Sequence, residues 1–86
     1  MSILYKVDVF VVLKPGVLDP KGEAVKKSLN VMGYEGVNEV RIGKFIEVWL
    51  DAESREDALR QAEKMSKELL ANPVIEDYRV KIVEGE

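Results

Sequence analysis

The side chains that could do chemistry in this chain are few, and the missing ones narrow the choice most. There is no cysteine and no histidine. The first absence excludes disulfides, thiolate nucleophiles and cysteine metal sites. The second removes the usual general acid or base near neutral pH and the commonest metal ligand. Carboxylates and lysines remain. Lys14, beside Pro15-Gly16, could meet an anionic ligand or a partner carboxylate; a solvated lysine at a turn is the plainer reading. Acidic residues gather at Glu53-Ser54-Arg55-Glu56-Asp57 and at Glu76-Asp77. The first group suits a helix N-terminus, where carboxylates favour the macrodipole. Neither group has calcium-loop spacing. Gly33-Tyr34-Glu35-Gly36 places two glycines around a turn, with no clear helix start after it to hold a phosphate. Neither G-x-G-x-x-G nor a Walker A sequence occurs. This inventory points to binding rather than to independent catalysis.

Eighty-six residues make one domain, residues 1–86. A chain this short buries a modest share of its surface, so burial at an oligomer interface would help it. Its net charge is −3 and its pI about 5.0. That balance speaks against nucleic acid, which requires a basic footprint. No apolar run approaches the ~18 residues of a membrane span, and Met1 to Lys6 lacks a signal-peptide core. The expectation is a cytoplasmic chain.

The elements follow from periodicity. Ile3 to Leu13 alternates, with Ile3, Tyr5, Val7, Val9, Val11 and Leu13 on one side, which predicts a strand with one buried face. Lys14-Pro15-Gly16 ends it. Asp19-Pro20 opens a helix, with Asp19 as N-cap and proline at the first helical position. Ala24, Val25, Ser28, Leu29 and Met32 form its stripe, and Gly33 stops it. Val37–Ile42 and Phe45–Leu50 read as two strands joined through Gly43-Lys44 in a primed hairpin turn. Ser54 caps a second helix whose stripe is Ala58, Leu59, Ala62, Met65, Leu69 and Leu70. Asp57, three residues on, resembles a capping box, and Glu56-Arg60, Glu63-Lys67 and Lys64-Glu68 are spaced as charge pairs. Asn72-Pro73 ends this helix, and a last strand runs from Tyr78 to Val83.

The order is β-α-β-β-α-β. It predicts an α+β, ferredoxin-like two-layer sandwich: an antiparallel sheet with two helices on one face. The other face carries Leu4, Phe10, Val12, Phe45 and Trp49 among Lys6, Asp8, Glu39, Arg41 and Glu47. The only Trp and both Phe residues lie there. A contiguous apolar patch on an open sheet face marks an interface, and Trp is frequent at interface hot spots. Phe10, Val12, Phe45 and Trp49, with Lys14 and Asp19 beside them, are the candidate interface residues. No catalytic, cofactor-binding or metal-ligating residue is expected. An RNA-binding sheet of this topology lacks support, because the face carries Asp8, Glu39 and Glu47 and no basic-Gly-aromatic signature.

Leu13-Lys14-Pro15-Gly16-Val17-Leu18-Asp19-Pro20-Lys21-Gly22-Glu23-Ala24-Val25 closely resembles the opening motif of PurS, the small subunit of phosphoribosylformylglycinamidine synthase. Gly33 to Val37, Val40 to Glu47 and Leu69 to Tyr78 are similar to later segments of that family, in order. The resemblance spans nearly the whole chain. It implies a non-catalytic subunit of a carbon–nitrogen ligase of purine biosynthesis that uses glutamine as amido donor. In that complex a PurQ-type glutaminase releases ammonia and a PurL-type synthetase uses ATP and Mg2+ to convert formylglycinamide ribonucleotide to the amidine. The small subunit is expected to form a homodimer or higher homo-oligomer, to join the other two and to assist ammonia transfer. It is expected to bind no cofactor itself. The alternative is an ACT-like regulatory domain binding a small molecule, which shares the topology. Pro15-Gly16 is only weakly suited to that ligand turn.

Overall fold

A computed structural model describes residues 2–83. Its elements are β1 (Ile3–Leu13), α1 (Pro20–Val31), β2 (Lys44–Ala52), α2 (Arg55–Met65), a π-helical turn (Ser66–Leu70) and β3 (Glu76–Ile82). The sheet is antiparallel with strand order β2-β1-β3. Val7, opposite Val48 and Ile82, sets the register. Because side chains alternate, Tyr5, Val7, Val9 and Val11 then share a face with Ile46, Val48, Leu50, Val80 and Ile82. Val7, Val9 and Val11 are fully buried, each worth about 2 kcal/mol of apolar burial. One core cluster joins Val7, Ala52 and Ile82 to Ala58 and Ala62 of α2. A second joins Val9 and Val11 to Ala71, with Leu70 against it.

The helix ends form as their residues dictate. Asp19 accepts a hydrogen bond from Gly22 N–H, Pro20 sits at the start of α1, and Gly33 takes φ 106° just after the helix. Ser54 Oγ accepts from Asp57 N–H at 3.1 Å. Asp57 in turn accepts from Glu53 N–H, one residue before the cap. Arg60 pairs with Asp57, not with Glu56 as the spacing suggested.

Three expectations change. The strand over Val37–Ile42 is not formed, so the sheet has three strands among the described residues rather than four. Gly43 is not in a primed turn; among the described residues those with positive φ are Gly16 and Gly33. A Cβ at Gly43 would stand 2.3 Å from the Val11 carbonyl oxygen, so glycine is needed there for close approach to β1, and the chain runs straight on into β2. Second, the stripe of α2 does not continue through Leu69. In the π turn the Ala71 N–H bonds to the Ser66 carbonyl, five residues back, and the extra residue leaves Leu69 82% exposed while Leu70 faces the core. Third, α2 alone packs against all three strands; α1 has little contact with the sheet or with α2. Gly22 is the only buried residue in its twelve.

The molecule is accordingly long and thin, 55 × 29 × 13 Å, with a radius of gyration of 16.6 Å. A compact domain of this length has about 12 Å. Residues 14–43 form an arm that leaves the end of β1, makes α1, and returns to β2.

Candidate functional site

Two places hold the candidate residues. The first is the sheet face that α2 does not cover. Register puts Phe45, Phe10 and Arg79 in one row across β2, β1 and β3. The phenylalanine rings stack with centroids 5.2 Å apart and planes at 28°, and the Arg79 guanidinium lies 5.0 Å from the Phe10 ring centre. A second row pairs Lys6 with Trp49, the ammonium 5.5 Å from the ring. The two cation–ring contacts are electrostatic attractions of a cation to the ring face. Lys6 also reaches Glu47 at 2.6 Å and Asp8 at 3.6 Å. The hydrogen bond to Glu47, helped by the charge of Asp8, raises the Lys6 pKa above its ordinary value despite partial desolvation. Asp8 Oδ1 is buried without a hydrogen-bond partner and depends on the Lys6 charge.

Phe45 and Trp49 remain 55% and 57% exposed, and Leu4 and Val12 are exposed beside them. The structure therefore brings Phe10, Val12, Phe45 and Trp49 onto one open surface. Lys6, Asp8 and Glu47 pair with one another and Arg79 lies over Phe10, so the centre of the surface offers flat apolar area among mutually satisfied charges. It holds no nucleophile beside a base, the arrangement catalysis would need.

The second place is the root of the arm. Asp19 is buried, and its two carboxylate oxygens are both used within the chain: Oδ1 accepts from Gly22 N–H and Oδ2 from Ile42 N–H, each at 2.9 Å. The Ile42 bond, then the Gly22 bond, lowers the Asp19 pKa below the ordinary carboxylate value, with Arg41 and Lys21 adding charge. Arg41 donates to the carbonyls of Leu13 (2.7 Å) and Lys14 (3.1 Å). A Cβ at Gly22 would lie 2.1 Å from the Val40 carbonyl oxygen. These contacts lock α1 and the return segment to the end of β1. Asp19 thus sits inside the chain as a tie, whereas Phe10 and Trp49 face outward. Sequence reasoning missed Arg41 and Gly22 in this role. Nothing in their spacing announces a bond spanning 28 residues.

Lys14, whose carbonyl belongs to the root of the arm, also lines a cleft of about 300 Å³ with Lys67, Ala71, Pro73, Glu76, Asp77 and Tyr78. Two lysines face two carboxylates there, so the cleft is not a dedicated anion site. Among the described residues, no group of three or more Asp or Glu is placed to hold a metal ion. Nor, among those residues, is any helix long and apolar enough to cross a membrane.

Comparison with known proteins gives a consistent result. Residues 6–84 match the family model PurS: phosphoribosylformylglycinamidine (FGAM) synthase. A curated relative from Synechocystis, a phosphoribosylformylglycinamidine synthase subunit PurS, is 49% identical over 78 residues, covering 91% of this chain and 78% of that protein. The crystal structure of Methanocaldococcus jannaschii PurS, one of the subunits of formylglycinamide ribonucleotide amidotransferase, superposes with a TM-score of 0.83 at 41% identity, covering 95% of this chain and 99% of that one. A chain in the structure of PurLQS from Thermotoga maritima gives 0.86 at 34% identity, covering 94% and 99%.

Proposed function

The chain belongs to the PurS family of phosphoribosylformylglycinamidine synthase subunits, and we propose that it works as the non-catalytic member of that complex, assembling it. The likeness that carries this reading is the nearly full-length one to a chain of PurLQS. The partners are a PurL-type synthetase and a PurQ-type glutaminase, and a second copy of this chain. ATP and Mg2+ act at the synthetase. That activation makes the amide carbon of formylglycinamide ribonucleotide open to ammonia released from glutamine. This chain contributes surface: it holds the donor and the acceptor subunits close, so that ammonia crosses a closed interface instead of diffusing into solvent. The complex works in the cytoplasm.

The open face with Phe10, Val12, Phe45 and Trp49 is the surface we assign to a partner subunit. Its stacked rings are rigid and already desolvated on one side, which lowers the ordering cost of docking. The ACT-like alternative is not favoured, because the family match runs through residues 6–84.

Reconstitution tests the reading. A PurL-type and a PurQ-type subunit are mixed with and without the chain, and amidine formation is followed from glutamine and from free ammonia. The glutamine-driven reaction is expected to need the chain, and the ammonia-driven one to proceed without it. Glutamine-driven synthesis that ignores the chain would sink the assembly role. Trp49→Asp should weaken capture of the partner subunits about 30-fold or more, the scale of a central interface aromatic.

A further inference from the structure

We infer that the free edge of β3 takes up an added strand, an extended acidic segment of one of the partner subunits. Three observations carry this. The first is the direction of the backbone. The Lys14 amide donates to the Ile75 carbonyl and the Val83 amide to the Lys6 carbonyl, so Asp77, Arg79 and Lys81 turn their N–H and C=O groups toward β1. Tyr78 and Val80, between them, turn theirs the other way, where no strand lies among the described residues. The series is closed at both ends. The Glu76 N–H donates to the Asn72 carbonyl at 2.7 Å, and Ile82 is buried. What stays open is two residues in step, the spacing at which an incoming strand exchanges hydrogen bonds with every second residue.

The second is the cleft beside that edge. By alternation Glu76 and Tyr78 stand on the same face of β3 as Val80, the face toward the π turn. There they share the cleft of about 300 Å³ with Lys67, Ala71 and Pro73. A strand added along β3 would set its own alternate side chains beside this cleft, which is how strand addition gains specificity over its backbone bonds.

The third is charge. The cleft alone is balanced. Along the whole edge Lys14, Lys67, Arg79 and Lys81 stand against Glu76 and Asp77. Of the two acids, Glu76 is already engaged, accepting from the Asn72 N–H at 2.7 Å and lying 4.0 Å from Lys44. The edge is thus positive in a chain whose net charge is −3. Basic side chains on an edge keep two like edges apart, and they favour an acidic strand. The occupant that fits is therefore a partner's segment rich in glutamate and aspartate, not a second copy of β3.

This rests on the assembly role proposed above and adds a second contact to the open face. Hydrogen exchange on the full chain, free and in the complex reconstituted with PurL-type and PurQ-type subunits, tests it. The amides of Asp77, Arg79 and Lys81 face β1 in both states and serve as the internal reference. Those of Tyr78 and Val80 are expected to exchange quickly in the free chain and about tenfold or more slowly in the complex. Equal rates for these two in both states overturn the inference and leave the assembly role standing. Slowing that grows with the concentration of the chain alone gives the edge to a second copy and overturns it too. If no complex forms, the assembly role falls and the inference with it. Variants read the chemistry. Tyr78→Pro removes an outward N–H and spares the ladder to β1, the kind of edge position that accepts proline. Lys67→Glu and Lys81→Glu reverse exposed charges. Each is expected to weaken capture of the partner about tenfold or more, with circular dichroism checking the fold. Capture undiminished by both charge reversals overturns the acidic segment, and capture undiminished by a folded Tyr78→Pro overturns the added strand.

Discussion

At the scale of residues, the most constrained positions are those where backbone meets backbone. Gly22 and Gly36 show the contrast. An added methyl at Gly22 runs into the Val40 carbonyl, while one at Gly36 meets nothing within 4 Å. Gly22→Ala should cost about 2 kcal/mol or more, and Gly36→Ala should stay within about 0.5 kcal/mol, measured by urea unfolding. The acids set the response to pH. Asp19 and Asp57 both have lowered pKa values, through the Ile42 and Glu53 amides respectively. A carboxylate whose folded pKa lies below its unfolded one binds a proton more tightly in the unfolded chain. Its stabilising share is complete above the unfolded value near 3.8 and disappears as pH falls through the folded one. Acid titration of unfolding should therefore show the loss beginning below about pH 5. Asp19→Asn and Asp57→Asn should each flatten that slope. A slope unchanged in both variants would refute the assignment.

At the scale of elements, β1 was legible in full because Lys6 and Asp8 alternate with Tyr5, Val7 and Val9 and the run around them is rich in β-branched residues. The N-termini of both helices were legible because Asp19-Pro20 and Ser54 act through their own nearby backbone. The open face was legible too, since alternation alone puts Phe10, Phe45 and Trp49 on one side. The strand over Val37–Ile42 was misread because Gly43 has two uses. A glycine in a hairpin turn and a glycine pressed against a neighbouring carbonyl look alike in sequence. The π turn was hidden for a related reason: Ser66 to Leu70 continues a helical pattern, and one extra residue changes which leucine faces inward. That difference is measurable. Leu70→Ala should cost about 2 kcal/mol or more, and Leu69→Ala less than about 0.5 kcal/mol, by chemical denaturation. Equal costs would mean an uninterrupted helix.

At the scale of the whole molecule, a single chain is a thin sheet with one helix on it and an arm beside it. Its shape was not legible, because sequence periodicity says that a face is buried but not which copy buries it. The stripe on α1 reads the same whether it folds back or reaches across. Association has a thermodynamic signature. If the native state is a dimer, its melting temperature rises with protein concentration by mass action. Across a hundredfold range that contribution is about 2.7 kcal/mol of dimer stability. Calorimetry of the wild type should show the rise, and Met32→Asp should show less of it. A wild-type melting point independent of concentration would contradict an obligate pair.

The π turn also governs how the length of this chain can change. Each helical residue advances the chain by about 100°. The turn between Ser66 and Leu70 already takes up one extra residue, so a second one inserted there would swing everything after it round by that angle. Ala71 would leave its core place, and β3 would be presented to β1 by the wrong edge. Residues 34–38, by contrast, lie in turns and irregular chain with mostly exposed side chains. Gene variants that gain a codon should accordingly be tolerated in the return of the arm and eliminated in the turn after α2. A saturation library of single-codon insertions, sorted for soluble protein, would draw that boundary directly.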